Sequence, residues 1–227
     1  MSSYFSPVLF AFLKDLKANN TREWFQANRE RYVSDVEAPM LRFIGDLTPG
    51  LAAISPAIVV DRRRMGGSMY RIYRDTRFSE NKTPYKTHVA AVFPWRGLEK
   101  HEGAGLYFHV STDEVWMGGG MYSPQTAQLQ AVREHIAGNV RRMRAIVESP
   151  GFRRHVGELD GDRLQRVPLG FPKDHAAAEY LKYRQFLAGR ELPPAFACNP
   201  KFYSTLITVF RQVAPLARFL NEPLVNH

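Results

Sequence analysis

Five lysine and arginine side chains fall within Arg71-Ile72-Tyr73-Arg74-Asp75-Thr76-Arg77-Phe78-Ser79-Glu80-Asn81-Lys82-Thr83-Pro84-Tyr85-Lys86-Thr87-His88, against two acidic ones. Guanidinium groups present paired donors that match two oxygens of a phosphate or carboxylate, and lysine adds a mobile point charge. Arg71, Arg74, Arg77, Lys82 and Lys86 are therefore candidate stabilisers of an oxyanion. Asp75 would orient one of the arginines, and His88 could carry a proton near neutral pH. A second reading stays open on the same residues: Arg71, Arg74, Arg77 and Asp75 could form an internal ion-pair network bracing a connection, since structural ion pairs are common. Arg62-Arg63-Arg64 just upstream adds three further cations.

Other constellations carry less chemistry. His88 and His109 fall on neighbouring expected strands and alternate with apolar residues, so both project from the same polar face. Glu99, His101 and Glu102 include metal-ligand types but sit beside Lys100 in a glycine-flanked loop, which reads as solvated. Gly118-Gly119-Gly120 lacks a nucleotide-binding spacing and reads as a tight turn or a close backbone approach. Arg141, Arg142, Arg144, Arg153 and Arg154 are interrupted by Glu134 and Glu148 and read as a solvated helix face. No Gly-x-Ser-x-Gly, no zinc spacing, no cofactor fingerprint and no modular nucleic-acid reader is found. Catalytic activity and cofactor are thus left open by the motifs.

The elements that must position these residues are helical first. Ser6-Pro7 is a cap followed by proline at the first helical position, opening a helix to about Ala18 that stops at Asn19-Asn20, and Thr21 can cap the next. Phe25, Tyr32, Val36, Met40, Phe43, Ile44, Leu47 and Leu51 recur at steps of three and four, the apolar face of a long or Pro39-interrupted helix. Short β-rich runs follow at 58–60, 69–74, 87–93, 106–111 and 115–117, best joined as an antiparallel meander. The basic segment is then a connection between two strands. Ser123-Pro124 opens a helix to about Val147, and further helices are expected at 174–187, 200–213 and 215–220. Helices, strands and helices in that order predict an α+β fold, with N-terminal helices, a central mostly antiparallel sheet and C-terminal helices, in one domain over 1–227.

The chain has 227 residues, of which 44% are hydrophobic and 23% charged, which excludes a disordered chain. The formal charge is +9, and residues 61–100 carry ten basic and four acidic side chains, so most of the excess lies in forty residues. Such a field favours anionic partners, nucleic acid among them. The single Cys198 and the short apolar run of the N-terminus predict a cytoplasmic protein without a membrane partner.

RIYRDTRFSENKTPYKTH, together with NNTREWFQANRERY at 19–32, GGGMYSP at 118–124 and PLGFPKDH at 168–175, resembles the uncharacterised family known as Domain of Unknown Function 2461. The resemblance spans Phe5 to Leu220. It implies no chemistry, but it makes Arg71, Arg74, Asp75, Arg77, Phe78, Ser79, Lys82, Pro84, Tyr85 and Lys86 hallmark positions. The expected ligand-binding set is therefore Arg71, Arg74, Arg77, Ser79, Lys82, Tyr85 and Lys86, with Asp75 and His88 as the catalytic candidates. Three functions remain: binding, with or without processing, of a phosphate-bearing or other anionic ligand at this loop; a structural or protein-interaction role with the loop as brace; and nonspecific nucleic-acid binding.

Overall fold

The computed structural model describes residues 3–225. Helix α1 (Pro7–Ala18) buries Leu9, Phe12, Leu13 and Leu16, one stripe at helical spacing. It ends at Asn19, and the Thr21 hydroxyl accepts from the Trp24 N–H to start α2 (Arg22–Ala27). The expected long helix is broken into α3 (Arg29–Tyr32), one π turn (Val33–Glu37) and α4 (Ala38–Ile54). Pro39 does not interrupt it: the backbone stays helical through Glu37 and Ala38, and the π turn just before the proline is the local adjustment that accommodates a residue without an N–H.

Strands β1 (His88–Phe93), β2 (Gly105–Ser111), β3 (Val115–Met121) and β4 (Phe186–Leu192) form an antiparallel sheet in the order 1-2-3-4. With the helices on either side of it in sequence, the fold is α+β. The period-two pattern of β2 sends Leu106, Phe108 and Val110 into the core. Tyr107 and His109 take the opposite face.

Between β3 and β4 run α5 (Thr126–Gly138), α6 (Val140–Val147), α7 (Pro150–His155) and the single turn α8 (Ala178–Leu181). A 3₁₀ turn (Pro194–Cys198) leads to α9 (Phe202–Asn221). One hydrophobic cluster from Phe5 to Leu220 joins α1, α4 and α9 to the inner face of the sheet.

Several expected boundaries are corrected. The helix expected from Ser123-Pro124 to Val147 begins at Thr126 and is divided at Asn139. The stretch expected as a helix at 174–187 is one turn followed by the edge strand β4, whose outer half is polar and so lacks a clean alternation. The two last expected helices are one, with Pro215 inside it. An apolar stripe including Leu206, Phe210, Val213, Leu216 and Leu220 holds both halves against the sheet, and that burial outweighs the lost helical bond.

β3 also runs four residues past its expected end, through Gly118-Gly119-Gly120. The glycines are a close backbone approach. A Cβ on Gly118 would collide with the Ala188 carbonyl, and one on Gly120, at φ +128°, with that of Phe186.

Candidate functional site

The basic segment is a hairpin hung on the outer edge of β1. Tyr70 N–H donates to Ala90 O (2.9 Å) and Val92 N–H to Ser68 O (3.0 Å), which pins this irregular segment to the sheet edge through a single bridge, Met69 with Ala91, where the sequence predicts a strand at 69–74. Farther out Tyr73 bridges Tyr85, with Arg74 N–H on Pro84 O and Lys86 N–H on Ile72 O, both 2.8 Å. Two contacts fix this arm to the N-terminal helices. The Asn20 side chain acts as a miniature strand partner, donating to Tyr85 O and accepting from Tyr85 N–H at 3.0 Å each. Phe25 stacks on Tyr85 with ring centroids 4.2 Å apart.

A cleft of about 240 Å³ opens between α2 and the arm, lined by Arg22, Gln26, Tyr73, Arg74, Thr76, Pro84 and Tyr85. Its lining contains two guanidinium groups and no carboxylate. The Arg74 guanidinium is held by the hydroxyls of Thr83 (2.6 Å) and Ser79 (3.4 Å). Among the described residues it has no carboxylate partner, so its charge is positioned but not neutralised.

Of the expected site residues, Arg74 and Tyr85 line this cleft, and Ser79 reaches it through Arg74. The others lie around it in different roles. Arg77 forms a two-pronged pair with Asp75 (3.0 and 2.8 Å), and these bonds hold the Asp75 carboxyl down at about 2. Lys82 Nζ donates to Thr76 O (3.0 Å), closing the tip of the hairpin. Lys86 points to the other side, to Arg71 O (2.8 Å) and Tyr73 O (3.2 Å). Burial, with Arg71 and Arg74 nearby, lowers its pKa. Arg71 itself is exposed and has no ion-pair partner among the described residues.

His88 begins β1 on the open face of the sheet, 5.5 Å from the His109 ring. Burial, His109 and Lys86 depress its pKa to about 4, so it is neutral at physiological pH and a weaker base than an ordinary histidine. The upstream arginines are largely spoken for: Arg63 pairs with Asp61, and Arg64 with the buried Glu37.

Sequence reasoning missed Arg22, Gln26 and Asn20. They belong to the α1–α2 corner, where Asn19-Asn20 read only as a helix stop, and nothing local ties that corner to residues 73–85. A larger cleft of about 660 Å³ lies between α6, α7 and α8. Glu148, Glu158 and Glu179 balance Arg153 and Arg163 in its lining, so it lacks the one-signed field of the smaller cleft. No three His, Cys, Asp or Glu side chains group as metal ligands among the described residues.

The family described as "Conserved hypothetical protein (DUF2461)" matches residues 8–219 of the chain. The chain belongs to this family. The match takes in the helical corner, the basic hairpin, the sheet and nearly all of α9, so both walls of the smaller cleft lie inside the family's span. No curated protein and no solved structure matches the chain significantly.

Proposed function

We propose that this DUF2461 protein binds a phosphate-bearing ligand in the cleft between α2 and the basic hairpin. The observation that carries the reading is the pairing of Arg22 and Arg74 in a concave site whose lining has no acidic side chain. Placed guanidiniums in a partly desolvated cleft favour an oxyanion far more than the same charges on an open surface. At about 240 Å³ the cleft is smaller than the roughly 300–1,000 Å³ of drug-sized pockets, which suits a phosphomonoester with a small body.

Tyr85 and Thr76 supply hydroxyl-bearing walls, and Gln26 adds an amide. Burial pushes the Tyr85 hydroxyl up, which keeps it a neutral hydrogen-bonding group, and the reading is one of binding. We place the protein in the cytoplasm on the strength of its single cysteine. No helix among the described residues is long and apolar enough to cross a membrane.

A second reading has its own observation. Lys82 and Lys86 donate to backbone carbonyls of the hairpin, and Arg77 to Asp75, so three of the five cations tie the hairpin to itself. A brace of this kind needs no ligand.

Titration with inorganic phosphate and with small phosphomonoesters, followed by thermal shift and calorimetry, separates the two. Ligand at a hundred times its dissociation constant stabilises by about 2.7 kcal/mol, a rise of roughly 5–10 °C for a chain of this size. The rise should vanish in Arg74→Ala and Arg22→Ala proteins that still unfold cooperatively. No rise with any phosphate, and a fall in stability on losing Arg74, would leave the brace. Affinity for an oligonucleotide that exceeds that for any monoester and falls steeply with salt would assign nucleic acid instead.

A further inference from the structure

The open face of the sheet carries a second arrangement that the cleft does not use. Register places His88, Ala90 and Val92 of β1, Tyr107 and His109 of β2, Trp116 of β3 and Glu191 of β4 on this face. Ala90 leaves room for Tyr70, from the added edge, to approach Tyr107, with centroids 6.2 Å apart. Trp116 lies 5.8 Å from Tyr107 and packs over Gly118 and Gly189, where a Cβ on either glycine would collide with its indole. Tyr70, Tyr107 and Trp116 thus form an aromatic row across the sheet.

The two ends of the row are oppositely charged. At the Tyr70 end the ammonium groups of Lys86 and Lys100 lie 5.6 and 4.3 Å from the Tyr70 ring centroid. Neither has a carboxylate within ion-pair distance among the described residues. Lys86 uses two of its three N–H donors on Arg71 O and Tyr73 O, and Lys100 uses one, on Gly67 O (2.8 Å). Three donors and two half-buried positive charges therefore remain for an incoming group, and their proximity depresses the pKa of Lys100 beyond what burial does. At the other end Glu114 and Glu191 lie together beside His109.

The middle of the row has a defined hydrogen-bond polarity. The Glu114 carboxylate accepts from His109 Nε2 at 3.0 Å, which puts the imidazole proton on Nε2. His109 is kept neutral by burial, so its Nδ1 accepts, and the Tyr107 hydroxyl donates to it at 3.1 Å. The Tyr107 oxygen, its proton committed, is left as an acceptor.

We propose that this face is a second ligand site, for a planar aromatic molecule that carries an oxyanion at one end and a hydrogen-bond donor on its ring. The oxyanion lies against Lys86 and Lys100, the ring against Tyr107 and Trp116, and the donor meets the Tyr107 oxygen. The charge gradient along the row sets the direction, since Glu114 and Glu191 repel an anion placed the other way round. A phosphate on a nucleobase-bearing molecule and a carboxylate on an amino-substituted ring share this chemistry. None of Tyr70, Lys86, Lys100, Tyr107 or Trp116 lines the cleft beside α2, so the site stands whether or not that cleft binds phosphate.

Adenosine monophosphate and 4-aminobenzoate are the probes for the two sources, with inorganic phosphate as the ringless control, followed by tryptophan fluorescence, and by calorimetry on the Arg74→Ala protein so that the cleft beside α2 does not contribute. One of the two aromatic probes should quench fluorescence saturably and bind more tightly than phosphate. Trp116→Phe should remove most of the quenching, because the other tryptophans are buried or packed on the helical side. Lys100→Met should weaken binding about tenfold or more, the loss of one charge-assisted contact. Arg74→Ala should leave the quenching of Trp116 saturable, since Arg74 does not touch the aromatic row. Lys86→Met gives the same readout should the Lys100 variant fail to fold. Saturable binding by neither aromatic probe overturns the proposal, as does binding that survives both lysine substitutions or is lost with Arg74.

Discussion

Removing the Asn20 side chain tests how the hairpin is held. Asn20 makes two hydrogen bonds to the Tyr85 backbone, at 3.0 Å each, in a part-buried setting. Asn221 makes the same clasp on Ala104, accepting from its N–H and donating to its carbonyl at 2.8 Å each, but is fully buried. A neutral hydrogen bond contributes about 1 kcal/mol where water can replace the lost partner, so Asn20→Ala should cost about 2 kcal/mol. At roughly 2–4 °C per kcal/mol that is a fall of about 4–8 °C in Tm.

Asn221→Ala strands a buried N–H and a buried carbonyl, each carrying a desolvation cost of about 1–3 kcal/mol, and should cost more, about 2–6 kcal/mol. Calorimetry and urea unfolding of the two variants give the comparison directly. Only Asn20→Ala should also weaken phosphate binding, because it frees the wall of the cleft that carries Arg74 and Tyr85. A Tm unchanged within about 1 °C for Asn20→Ala, or a larger loss there than at Asn221, would refute the reasoning that solvent access decides the cost of a broken clasp.

Other substitutions probe separate parts of the argument. Gly118→Ala drives a Cβ into the Ala188 carbonyl across the β3–β4 ladder, so the variant should lose several kcal/mol (about 3 or more) in urea unfolding, with backbone amide signals of β4 displaced in NMR spectra. Phe25→Ala, which removes a buried ring stacked on Tyr85, should cost about 3–5 kcal/mol by the same assay. Arg77→Ala should unfold at the parent's temperature, since its pair with Asp75 is exposed.

The pH dependence has a sign that can be checked. His88 binds its proton at about 4 when folded and near 6.5 when unfolded, so between these values the unfolded chain holds more protons. Stability should fall as pH drops from about 6.5 to 4, by up to about 3 kcal/mol, and His88→Gln should flatten that slope in urea titrations at successive pH values.

The helical opening, strands β1 to β3 and the concentration of charge at 71–86 were legible because their signals are local, whereas the strands expected at 58–60 and 69–74 form only isolated bridges, Ile58 with Trp95, Met69 with Ala91 and Tyr73 with Tyr85. Ser6-Pro7 and Thr21 announce helix starts, Leu106, Phe108 and Val110 alternate, and the cations of 71–86 are contiguous in sequence. β4 was not legible, because Phe186–Leu192 is a polar-edged strand whose identity depends on its partner. A local signal existed in the glycines of 118–120, which make sense only if another backbone lies against them. Likewise Pro215 reads as a breaker until the apolar stripe on both sides of it is seen to share one groove on the sheet.

By itself the sequence determined the α+β class, the family and the place where positive charge is concentrated, since composition, periodicity and residue order are properties of the chain alone. Tertiary structure decided what each of those charges faces. Asp75 takes Arg77, backbone carbonyls take Lys82 and Lys86, and Arg74 is left facing Arg22 across a cleft whose two walls are about fifty residues apart in the chain. It also decided the aromatic row of Tyr70, Tyr107 and Trp116, two residues on neighbouring strands and one from the segment hung on the edge of β1, which only the folded sheet brings together. Coulomb and hydrogen-bond energies depend on distances of a few ångströms, and the chain order does not contain those distances until the fold closes them.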